Sequence, residues 1–203
     1  MKFALVFLCI LSSCGYRYSL DEPVDGSLSK EVSITVPYIS GDSEALLNNE
    51  LVYQLASSGN FRVVQTGGDL LLKVEILSDS HDRIGFRYDR DNTGAHLERN
   101  LLGVEDRRSV VVAVSLLDGV SGSLLFGPEN VKAYADYDYT DPGSPRDLLF
   151  AKKEPIMPFS LGQLDSGEGA YDAAAKPVFR KLSHKIVGGL VQKLPELRDE
   201  YGF

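Results

Sequence analysis

The sequence predicts an α+β fold, a two-layer sandwich of two helices against a mixed sheet of about four strands. Three observations carry the prediction. A strand, a helix and a second strand follow one another between Val32 and Val64, a long β-hairpin runs from Val110 to Tyr139, and an amphipathic helical stripe occupies Val178 to Leu194. Each element has one apolar face, and such faces satisfy one another when helices lie on a sheet.

Val32-Ser33-Ile34-Thr35-Val36 alternates apolar and polar residues until Pro37 stops it, which makes a first strand. Gly41-Asp42-Ser43 supplies an N-cap for a helix with Leu47, Leu51 and Leu55 at i, i+4 and i+8, and Gly59 closes that helix. Phe61 to Val64 is a short strand. After Gly67-Gly68 the run Leu70 to Leu77 alternates so that Leu70, Leu72, Val74 and Ile76 share a face. A strand, helix and strand in this order imply a right-handed crossover.

From Ser80 to Arg107 the alternation breaks into a charged stretch, Asp82-Arg83-Ile84-Gly85-Phe86-Arg87-Tyr88-Asp89-Arg90-Asp91, which reads as a long excursion between strands. Val110 to Leu117 is nearly all apolar and β-branched. Asp118-Gly119 and Ser121-Gly122 then turn the chain, and Leu124 to Tyr139 runs back as the second arm of a hairpin. On that arm Ala133, Ala135, Tyr137 and Tyr139 alternate with Tyr134, Asp136 and Asp138. Proline-bearing residues 141–165 read as loop. In the closing helix Val178, Phe179, Leu182, Ile186, Leu190 and Leu194 form the stripe, with Lys176, Arg180 and His184 opposite. Pro177 sits harmlessly in its first turn or kinks a longer helix.

The first residues carry a different message. Met1-Lys2, the apolar run Phe3 to Ile10 and Leu11-Ser12-Ser13-Cys14 form a secretory leader of the lipoprotein type, too short to span a bilayer. Small side chains at Ser12 and Ser13 admit the peptidase, and Cys14 takes the acyl chains that hold the protein to a membrane. Gly15, where inner-membrane lipoproteins carry Asp, points to the outer membrane. The expected organisation is therefore a leader over 1–13, a lipidated N-terminus and tether over 14–30, and a single domain over 31–203.

The chain of 203 residues has a net charge of -8, which disfavours non-specific nucleic-acid binding. Its two cysteines, Cys9 and Cys14, leave with the leader or become acylated, so no thiol remains for a disulfide, a metal or a nucleophile. No phosphate loop, HExxH, GxSxG or Cys/His cluster is found, and His81, His96 and His184 stand far apart. No catalytic residue, metal or cofactor is expected. Arg83, Arg87, Arg90 and Arg99, interleaved with Phe86 and Tyr88, admit two readings: a lipid-phosphate site built from forked donors, or an exposed hairpin whose Arg and Asp side chains pair with each other.

Cys14-Gly15-Tyr16-Arg17, a strand ending in Val36-Pro37, a helix patterned Leu51, Gln54-Leu55 and Gly59, two long antiparallel strands and a last helix ending Leu190, Lys193-Leu194-Pro195 resemble the lipopolysaccharide-assembly lipoprotein family LptE. The resemblance implies an outer-membrane lipoprotein that plugs the LptD β-barrel, assists its assembly and delivers lipopolysaccharide to the outer leaflet. It also implies lipopolysaccharide contacts by basic loop residues, for which Arg99 is the nearest match and Lys152 the next. The loops over 80–107 and 142–158 are longer than that family pattern requires. From the residues alone, an outer-membrane lipoprotein that docks on a periplasmic cell-envelope enzyme as its activator remains the alternative, and a periplasmic hydrolase lacks a nucleophile and base.

Overall fold

A computed structural model describes residues 31–90, 96–140 and 166–201. Glu31 to Phe203 form one compact unit. Cys14, the leader, the tether, Lys152 and the loop over 141–165 lie outside the described residues. The fold is α+β, as expected, with a mixed sheet of five strands where about four were predicted.

Strand β1 (Val32–Thr35) is followed by helix α1 (Leu46–Ser57) and by β2 (Phe61–Val64), which pairs parallel to β1 with Ile34 opposite Val63. The chain then enters β3 (Leu70–Arg90), parallel to β1 through Ile34–Leu70 and Thr35–Leu71. Strands β4 (Leu97–Asp118) and β5 (Leu124–Asp138) complete an antiparallel meander, so the order across the sheet is β2-β1-β3-β4-β5. A short helix α2 (Gly167–Ala173) leads into the long α3 (Ala175–Tyr201).

Local chemistry explains the joints. The N-cap of α1 is Ala45, at φ +55°, and not the foreseen Gly41-Asp42-Ser43, although Asp42 Oδ2 still accepts from the Asn48 backbone N–H at 2.9 Å. Gly59, at φ +69°, ends the helix as expected. Ser33 and Thr35 are buried and use their hydroxyls to hold the Gly68-Asp69 turn: Ser33 Oγ donates to Asp69 Oδ2 at 2.6 Å, and Thr35 Oγ1 accepts from the Gly68 N–H at 3.1 Å. That turn lies against Gly119, whose N–H donates to the Asp69 carbonyl and where any Cβ would collide with the Gly68 carbonyl. Pro177 falls in the first turn of α3, and the helix continues through Pro195 to Tyr201, beyond the end suggested by the family pattern.

The core is the layer between the sheet and α1 with α3. Ile34, Leu70, Leu72, Val110, Val112 and Leu116 meet Leu47, Leu51, Leu55, Val178, Leu182 and Leu190, all nearly inaccessible to solvent. Helix α3 lies over β4 and β5, while α1 packs on α3 and β2.

A further sequence expectation is corrected. The described residues of the charged stretch, 80–90 and 97–107, continue β3 and β4 as one long ribbon, with Arg90 paired to Leu97. Its alternation is hidden because register shifts interrupt it between Ile76 and Ser78, Arg83 and Gly85, Gly85 and Phe86, and Tyr88 and Arg90. The same ribbon carries no residue of the core cluster from Leu77 to Ser109, so neither of its faces shows a periodic apolar signal.

Candidate functional site

The site begins where the helix layer ends. Up to Ile76 the even-numbered residues of β3 face the helices, but the bulge at Leu77 reverses this, so that Asp79 opposes Val110, His81 opposes Arg108 and Arg83 opposes Asp106. Strand β5 adds Ala135 beside Arg108 and Tyr137 beside Asp106. The apolar face of the sheet therefore turns polar and aromatic within one strand pair.

Arg108 closes the core. It is 8% exposed, and its Nε and Nη2 donate to the two oxygens of Asp79 at 3.0 and 2.6 Å, while Nη1 donates to the Tyr171 carbonyl at 2.9 Å. Its guanidinium stacks over the Tyr171 ring at 4.0 Å and lies 5.8 Å from the Phe179 ring. Burial lowers its pKa, but the Asp79 contacts outweigh that and hold it raised. This side chain fastens α2 and the start of α3 to the sheet.

Beyond Arg108 a cleft of about 640 Å³ opens. Its floor is the sheet, with His81 and Arg83 from β3, Asp106 from β4, and Tyr137 and Tyr139 around the end of β5. Its wall is one face of α2, where Glu168, Tyr171 and Asp172 project together at i, i+3 and i+4. Ser166 caps α2 through its Oγ, which accepts from the Gly169 N–H at 3.3 Å.

Four rings form a continuous surface in this cleft. His81 meets Tyr171 edge to face at 5.7 Å, Tyr171 meets Tyr137 at 6.2 Å, and Tyr137 meets Tyr139 at 6.3 Å. Two phenols are anchored: Tyr171 donates to Asp79 Oδ1 at 2.9 Å and Tyr139 to Asp106 Oδ1 at 3.2 Å. Burial first and Asp106 second push the Tyr137 phenol up to about 12, and Tyr139 and Tyr171 are also raised, so all three remain neutral donors. Arg83 lies 3.5 Å from Asp106, and a side chain at Gly103 would collide with its Nε and Cδ.

The predicted arginines behave differently. Arg87 and Arg90 on β3 and Arg99 on β4 all fall on the far part of the ribbon, beyond the cleft. Arg87 is half-buried and Arg99 exposed. Phe86, Tyr88 and Leu101 share one face and are more than half exposed, whereas Arg87, paired with Leu102, lies on the opposite face. Of the histidines, His81 joins the cleft, whereas His96 and His184 are exposed outside it. Among the described residues no group of three His, Cys, Asp or Glu side chains could hold a metal, and no helix is long and apolar enough to cross a membrane.

Sequence reasoning missed the cleft. The usable signal was three polar or aromatic pairs spaced by two, His81 with Arg83, Asp106 with Arg108 and Tyr137 with Tyr139, in three strands that turned out to be neighbours.

No family model matches this sequence, and no curated protein matches it. Several solved structures are similar in part. A candidate lipoprotein from Caulobacter crescentus CB15 is 16% identical with a TM-score of 0.48, over 80% of this chain and 90% of that one. Rare lipoprotein B from Shewanella oneidensis is 14% identical with a TM-score of 0.46, over 81% and 98%. A minor lipoprotein from Acinetobacter baumannii is 10% identical with a TM-score of 0.43, over 77% and 87%. Likenesses of this size assign no function.

Proposed function

We propose that this chain is a non-catalytic lipoprotein of the outer membrane, acylated at Cys14, that lodges in an LptD-like β-barrel, assists its assembly and passes lipopolysaccharide to the outer leaflet, as in the LptE family it resembles. The lipoprotein leader and the order of elements support the reading.

The observation that carries it is the ribbon of β3 and β4. At about 3.3 Å per residue, the stretch from Ile84 to Arg90 extends about 20 Å past α2, comparable with an apolar band about 25 Å tall on a barrel wall. A structural element of that length and charge suits a wet lumen. A chain of net charge -8 fits a lumen whose own wall is basic. Arg87, Arg90, Arg99 and Lys152 are then the residues offered to the phosphates of the lipid.

The test is a crosslink-stabilised pull-down of the tagged, lipidated protein from solubilised envelopes. One large heat-modifiable barrel recovered near one-to-one is the expected result. Recovery of a cell-wall enzyme without a barrel would overturn it in favour of an activator docked on that enzyme.

A further inference from the structure

The cleft at the base of the ribbon has a chemistry opposite to that of the arginines at its end. Among its charges, Arg83 faces Asp106 and Arg108 faces Asp79, so both cations are already matched. Glu168 and Asp172, on the wall formed by α2, make no ion pair with any described residue. Between wall and floor stand the neutral rings of Tyr137, Tyr139 and Tyr171. Among the described residues the Tyr137 hydroxyl has no hydrogen-bond partner, although its two neighbours are anchored.

A surface of neutral aromatic rings flanked by two exposed carboxylates attracts a positive charge and repels an anion, even with the Arg108 guanidinium acting on Asp172. The wall already contains an example, since the Arg108 guanidinium stacks on Tyr171 at 4.0 Å. Because their phenols are held neutral and two are hydrogen-bonded, the rings keep their positions without a ligand, which lowers the ordering cost of binding. The cleft, at about 640 Å³, is of the size that takes a small ligand or one side chain with its flanking backbone.

We propose that this cleft binds an organic cation, an alkylammonium or guanidinium head, whose charge sits between the tyrosine rings and the carboxylates of Glu168 and Asp172. The inference does not depend on the barrel. The head belongs either to a basic side chain in an extended segment of a protein partner or to a free polyamine.

The full chain in non-ionic detergent is titrated against fluorescent capped pentapeptides of alanine with a central Lys, Arg or Glu, followed by anisotropy, with spermidine and inorganic phosphate as competitors. Lys and Arg peptides are expected to bind and to weaken with salt, whereas the Glu peptide does not bind. Replacing Glu168→Gln and Asp172→Asn together should weaken the basic peptides about tenfold or more, with an unchanged far-UV circular dichroism spectrum. Tyr137→Leu should cost about two- to fivefold, and Tyr137→Phe, which keeps the ring, should retain most of the affinity. Spermidine competing more strongly than the peptides assigns the cleft to free amines, and the reverse assigns it to a protein segment. Absence of basic-peptide binding, equal binding of the Glu peptide, displacement by phosphate, or affinity unaltered by the double substitution would each overturn the proposal.

Discussion

Arg108 and Asp79 show how one pair of side chains connects packing to the site. Arg108 is buried while Asp79 retains 27% side-chain exposure, so removing the carboxylate strands a charge that is only partly able to reach water. Asp79→Ala should therefore cost about 2–3 kcal/mol in urea unfolding, less than the cost of breaking a fully buried pair. The double change Asp79→Leu with Arg108→Met should recover much of that loss, because no unpaired charge is left. The phenol of Tyr137 gives a second test at this scale. Its folded pKa of about 12 exceeds the ordinary 10.0, so the folded state holds its proton more tightly. The resulting stabilisation is complete below pH 10 and is lost as pH rises from 10 to about 12. An ultraviolet titration should show a tyrosine ionising at the top of that range in the native protein and not in Tyr137→Phe.

Among the elements, β5 shows how an exposed sheet edge is protected. It lies at the end of the sheet with carbonyls facing outward, and α3 covers two of them: Lys181 Nζ donates to the Tyr134 carbonyl at 3.0 Å and Lys185 Nζ to the Lys132 carbonyl at 2.7 Å. On the other face, Arg107 forks onto Asp136 at 2.6 and 2.9 Å and stacks 4.3 Å above Tyr134. Lysines over free carbonyls block strand addition. Replacing Lys181 and Lys185 together by alanine should leave stability within about 1 kcal/mol, yet produce concentration-dependent self-association in sedimentation velocity. The elements also show which patterns survive in a sequence. Leu47, Leu51 and Leu55, or Leu70, Leu72, Val74 and Ile76, meet one uniform face and keep their period. From Leu77 onward the ribbon meets no core, and the extra residues at Leu77 and Ile84 reverse the alternation of β3, so the same extended backbone reads as an irregular charged loop.

For the whole molecule, the sandwich and the ribbon are separable. The core cluster draws on β3 only as far as Ile76 and on β4 only from Val110, so shortening the ribbon leaves the core intact. Replacing residues 84–103 by Asn-Gly should yield a protein that keeps its helical far-UV signal and cooperative melting while losing part of the strand signal. In envelopes it should no longer recover the barrel in the pull-down. Retained recovery would place the contact on the sandwich.

The sequence by itself determined the α+β class, the parallel pairing of β1 with β2, the stripe of α3 and the hairpin of β4 and β5, because each depends on apolar residues repeating at the period of its own backbone. It also placed Arg87, Arg90 and Arg99 in one charged stretch, but the register that sets Arg87 on the face opposite Tyr88 and Leu101 left no mark there. Only the tertiary structure decided that Asp79, His81, Asp106, Arg108, Tyr137 and Tyr171 share one place. A bulge at Leu77 reversed the parity of β3, and α2 brought Tyr171 across from far along the chain. Neither the register shift nor that docking leaves a periodic trace, because both arise from contacts between elements.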